Sequence, residues 1–119
     1  MPDPFDPARL APADFPPPTS PPRPRPGVKF LRGPIPLDWL TAAAALPGRA
    51  LAVGLVVWFL AGCERRRTVA ATLSRLAALG AGTRAAARRG LAALEAAGLV
   101  TVERHAGRAP VVTILDAPD

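Results

Sequence analysis

The alternation of hydrophobic and polar positions divides this chain into four helical segments and a hairpin. The clearest periodicity lies in residues 72–100. Leu73, Leu76 and Ala77 fall at i, i+3 and i+4 and make one apolar helix face. Thr72 precedes that face, and its hydroxyl suits an N-cap. Gly80 is expected to stop this helix, with Gly82 loosening the turn further. Thr83 caps the next helix, predicted over residues 84–97. At about 100° per residue, Ala87, Leu91, Leu94 and the closing Gly98 gather within a sector of about 60°. Arg84, Arg88 and Arg89 fill the adjoining sector, centred about 110° from that side. The leucines are therefore placed to pack inward while the arginines face out.

After Gly98, Leu99-Val100-Thr101-Val102 leads toward Glu103-Arg104 as a partly buried strand does. Residues 105–109 form a turn closed by Pro110, and residues 111–115 make a second strand. The result is a β-hairpin with Arg104 and Arg108 near its tip. Upstream, a first helix is predicted over residues 37–46, anchored by Trp39 and broken by Pro47-Gly48. Residues 49–62 form the next helix. The apolar run from Ala50 to Cys63 is fourteen residues long, short of the ~20 a bilayer span requires. No membrane role is expected. A helix apolar on all sides must be covered all round, either by the other helices or by a second copy of the chain. Val56, Val57, Trp58 and Phe59 make a homodimer through this helix an open option. Thr68-Val69-Ala70 reads as a short strand, and residues 28–36 as an extended lead-in carrying Lys29 and Arg32.

These elements predict a mainly α fold with a small β-hairpin. The folded domain covers residues 28–116, with a short tail at 117–119. Residues 1–27 contain eleven prolines and few large apolar side chains, a composition expected to stay disordered. Residues 17–26 read either as a tether or as a ligand for a proline-binding domain.

Charge narrows the partner. Residues 28–115 hold twelve basic and four acidic side chains, so the folded part is near +8. A strongly basic small domain points to an anionic partner, most commonly nucleic acid. The single cysteine, Cys63, excludes an intrachain disulfide and a multi-cysteine metal site; it is expected to be a small buried apolar residue. No secretory signal is visible, which fits a cytoplasmic, nucleoid-associated protein. With two serines, one histidine and no tyrosine, and with no paired carboxylates, catalysis is not expected. No cofactor or metal is implied.

The order helix, short strand, helix, helix, hairpin resembles a winged helix-turn-helix domain preceded by an extra N-terminal helix. The resemblance rests on Leu76-Ala77-Ala78-Leu79-Gly80, on Arg84 and Arg88-Arg89, and on Leu91-x-x-Leu94-Glu95-x-x-Gly98-Leu99-Val100. It spans residues 49–115 and is similar to bacterial transcription regulators of the GntR and MarR type and to winged-helix plasmid replication initiators. The turn at Ala81-Gly82-Thr83 is about one residue longer than that pattern and lacks its usual Val. The resemblance implies that helix 84–97 enters the major groove of double-stranded DNA, with Arg84 and Arg88 on base edges and Arg89 on a base or phosphate. Thr83, Ser74 and Arg75 would touch phosphate. Arg104 and Arg108 on the wing would follow the backbone or minor groove, and Arg65, Arg66 and Arg67 would hold a flanking phosphate. Three alternatives stand beside this: arginines that only solubilise an alanine-rich helix, an accessory protein of a plasmid or mobile element, and a winged helix that binds protein instead of DNA.

Overall fold

A computed structural model describes residues 20–118. Most of the proline-rich segment, residues 1–19, lies outside the described residues, as does Asp119. Residues 20–34 are exposed throughout and contain neither helix nor strand.

Four helices and three strands follow. Helix α1 (Leu37–Ala44) starts where Pro36 sets an extended residue just before it. It ends two residues before Leu46, because Pro47 and the positive φ of Gly48 (66°) turn the chain. Its buried face is Trp39 and Ala43. Helix α2 (Ala50–Glu64) is the centre of the molecule. No residue from 50 to 62 is exposed. The other elements of the same chain therefore cover most of it, the first of the two coverings anticipated for an all-apolar helix, while Leu55 and Phe59 are left half-buried along a groove.

Strand β1 (Thr68–Ala70) is short but real, and it joins the hairpin. The sheet runs β1-β3-β2 and is antiparallel, with β2 at Val100–Glu103 and β3 at Val111–Ile114. The register sets Val69 opposite Val112 and Val100 opposite Ile114, all four buried. The β-component is thus a three-stranded sheet rather than a lone hairpin, and the fold as a whole is mixed α and β.

Helix α3 (Leu73–Leu76) starts under the Thr72 cap, whose Oγ accepts from the Arg75 backbone N at 3.1 Å. It continues as a π-helical turn, Ala77–Ala81, in which the Gly82 N–H donates to the Ala77 carbonyl at 2.9 Å. Such a turn takes one more residue than an α-helical one. Gly80 is not the stop. The chain leaves the helix at Gly82, the residue with the left-handed φ of 87°; Gly80 instead sits against Val56 of α2.

Helix α4 (Arg84–Ala96) ends in a pair of bonds, Leu99 N to Leu94 O and Gly98 N to Glu95 O. They require Gly98 in its left-handed conformation. The core gathers Trp39, Leu60, Leu76, Leu91, Leu94, Leu99 and Ile114, and among the described residues no polar or charged residue is buried. Trp39 locks α1 to the sheet end of this core: its Nε1 donates to the Leu99 carbonyl at 3.3 Å, and its ring meets Trp58 edge-on at 5.6 Å. Among the described residues no helix is long and apolar enough to cross a membrane.

Candidate nucleic-acid interface

The outward face of α4 comes directly from its sequence. Ala87, Gly90, Leu91 and Leu94 are buried, and Arg84, Arg88 and Arg89 are all exposed. Gly90 was not expected in the apolar face. It is there because α4 packs closely on α2: a Cβ at Gly90 would lie 3.2 Å from the Ala50 Cα and 2.8 Å from Val53 Cγ2. A glycine inside a helix is unfavourable by about 1 kcal/mol, and that local inconsistency is the sequence signal of a close approach. Leu91 and Leu94 then hold the helix rotation, which turns the three arginines to solvent.

None of these three arginines makes an ion pair with a described residue. Thr83 stands before them with its Oγ accepting from the Ala86 backbone N at 3.0 Å. The remaining orphan N–H groups of the first turn point along the helix axis, where an anion is favoured.

The hairpin reaches the same face at its far end. Arg104 donates to both carboxylate oxygens of Glu95, at 3.2 and 3.4 Å. Glu95 lies about 20° from both Arg84 and Arg88 around the helix. The Arg104 guanidinium is therefore anchored at Glu95, toward the C-terminal end of the stripe those arginines begin. Arg108 is exposed in the hairpin turn, closed by its own N–H to the His105 carbonyl at 3.1 Å.

The other expected contacts lie elsewhere. Ser74 and Arg75 are exposed on α3. Arg75 lines a pocket with Lys29, Arg32 and Arg65. Arg67 is paired to Asp116 at 3.1 Å, and Arg66 sits 3.8 Å from Glu64. Arg65 ends α2 in a left-handed conformation with φ 54°. Cys63, expected to be buried, is exposed in the last turn of α2; the buried face of that turn is taken by Leu60 and Ala61. Among the described residues no group of His, Cys, Asp or Glu is arranged to hold a metal ion.

The arrangement leaves Arg84, Arg88 and Arg89 exposed along α4, with Arg104 beside Glu95 near the helix end. Compared with protein-family models, with curated proteins and with solved structures, the chain matches none.

Proposed function

We propose that this chain is a winged helix-turn-helix protein that binds double-stranded DNA in a sequence-dependent way, as a small transcription regulator. In this reading α2, β1, α3, α4 and the β2–β3 hairpin are the units of the winged helix. Helix α4 enters the major groove, which is wide enough for one helix. Arg84 and Arg88 read base edges, because the planar guanidinium fork meets guanine O6 and N7 together. Arg89 takes a base or a phosphate, and Arg104 and Arg108 follow the backbone from the wing.

One observation carries the reading: three arginines on one exposed helix face have no acidic partner among the described residues, while the opposite face is bound into the core. Glu95, the one acidic residue of this helix, is taken up by Arg104 instead. Selection of bound sequences from a random duplex pool tests it. A recovered motif is expected, together with a log affinity against log salt slope of roughly −4 to −5 if about five arginines reach phosphates. Salt-insensitive or absent binding overturns the reading. The same fold serving a plasmid or mobile element would instead recover iterated sites.

A second observation favours binding as a homodimer. Phe30, Leu31 and Leu79 are large, apolar and exposed. Together with Leu55 and Phe59 of α2 they line a groove of about 350 Å³. A second copy on this groove would present two α4 helices to a palindrome, with half-sites about one helical turn apart. The same surface would serve a winged helix that binds protein; charge reversal at Arg84 and Arg88 separates the two, since protein binding survives it and DNA binding does not.

A further inference from the structure

A second cationic region shares no residue with α4. It lies where the lead-in crosses the end of α2, with the Arg32 Cβ 3.0 Å from where a Cβ on Gly62 would stand. Two adjoining pockets, of about 440 and 390 Å³, share Arg32, Gly62 and Arg65. Lys29 and Arg75 line the first; Arg66 and Arg67 line the second. Among the described residues no Asp or Glu lines either one. Asp116 takes up Arg67, and Glu64 stands 3.8 Å from Arg66. Lys29, Arg32, Arg65 and Arg75 form no ion pair with any described residue.

Cations that converge without counter-charge repel one another, and an anion between them reverses the sign of that energy. Trp58 lines the second pocket, and its indole Nε1 is buried with no acceptor among the described residues. A buried N–H left unpaired costs about 1–3 kcal/mol. The charged side chains of the region are all positive, set among apolar walls from Phe30, Phe59, Pro34 and Ile114. A single carboxylate would leave most of that charge unmatched, whereas a phosphate brings more negative charge and acceptor oxygens whose geometry suits guanidinium forks.

We infer that this trough is a phosphate-binding site: Arg32 and Arg65 grip the group from the shared wall, and Lys29 and Arg75 close one side. The phosphate has two possible sources, a free phosphorylated ligand or the backbone of DNA beyond the reach of α4. The site does not depend on the reading of α4.

The test titrates the full chain with inorganic pyrophosphate at low ionic strength. Two readouts are local. Tryptophan fluorescence reports the Trp39–Trp58 pair, and the alkylation rate of Cys63 by a neutral reagent reports coverage of the first pocket, which this exposed thiol lines. Saturable fluorescence change and slowed alkylation are expected. Arg32→Gln combined with Arg65→Gln weakens binding about tenfold or more. Arg84→Gln combined with Arg88→Gln leaves it unchanged. The site is refuted by the same signals from sodium chloride at matched ionic strength, by no response to the Arg32 and Arg65 changes, or by an equal loss in the Arg84 and Arg88 variant. A duplex about three helical turns long then assigns the source: displacement of pyrophosphate identifies a backbone phosphate, and simultaneous binding identifies a free phosphorylated ligand.

Discussion

Gly90 of α4 meets Ala50 of α2 so closely that a Cβ at Gly90 would stand 3.2 Å from the Ala50 Cα. On the same side it would come 2.8 Å from Val53 Cγ2, on a β-branched side chain that has little rotamer freedom in a helix. Gly90→Ala gains about 1 kcal/mol of helix propensity. It must then push α4 away from the backbone of the central helix, an overpacking that costs about 1–3 kcal/mol. A net loss of stability is expected in urea unfolding. A midpoint at or above that of the unchanged chain would contradict the close crossing.

Arg88 and Arg66 separate reading from holding. Arg88 is on the exposed face of α4 with no ion pair among the described residues, and Arg66 is loosely placed near Glu64. Arg88→Ala should cost about 1–3 kcal/mol on the selected sequence and far less on unrelated DNA. Arg66→Ala should weaken all duplexes alike and flatten the salt slope by about 0.9. Competition binding with selected and scrambled duplexes measures both. Equal loss of specificity in the two variants refutes the division of roles.

What the sequence made legible was mostly local. The Thr72 and Thr83 caps and the Gly98 helix end each involve residues within five positions of one another, and each forms as its residue types dictate. The arginine sector of α4 was equally readable, because helical periodicity fixes which side chains share a face. Pairings across the chain were not. Nothing in Thr68-Val69-Ala70 names β3 as its partner, since many short strands satisfy the same pattern. Small residues also hid their roles. Gly54 lies so close to Trp39 that a Cβ would come 2.8 Å from its Cη2, yet a glycine contributes nothing to an apolar count. The π-helical turn moved the stop from Gly80 to Gly82, a change of hydrogen-bond pattern that periodicity at this length does not resolve. Cys63 was misplaced because a small thiol suits either side of a helix end. The approach of Lys29, Arg32, Arg65 and Arg75 depends on how the lead-in crosses α2, a purely tertiary fact.

The Glu95–Arg104 pair joins the hairpin to α4 across nine residues of sequence. Both side chains are more than a third exposed, at 37% and 54%. Solvent screening therefore leaves the pair less than about 1 kcal/mol of stability. Its effect on binding should be larger. Glu95→Gln removes a negative charge from the arginine stripe and frees the Arg104 guanidinium. DNA affinity is expected to rise, and the salt slope to steepen by about 0.9 as one more phosphate is neutralised. Unfolding should shift little. A drop in affinity would mean that Glu95 is needed to aim Arg104, and would reverse the sign of its contribution.

Thr83 combines a cap with a place at the arginine end of α4, and two substitutions pull those roles apart. Its Oγ accepts from the Ala86 N–H, so Thr83→Ala should cost about 0.5–2 kcal/mol of stability. Thr83→Asp keeps an oxygen at the cap and adds a negative charge that the helix N-terminus favours. Its stability should equal or exceed that of the unchanged chain. The same charge stands where a phosphate is expected, and repulsion of about 1 kcal/mol weakens DNA binding roughly fivefold at low salt. Melting curves and duplex titrations on the two variants read stability and binding separately. If the Asp variant were stable and bound DNA as tightly as before, the start of α4 would not face the phosphate backbone, and Arg84 would lose its assignment to the groove.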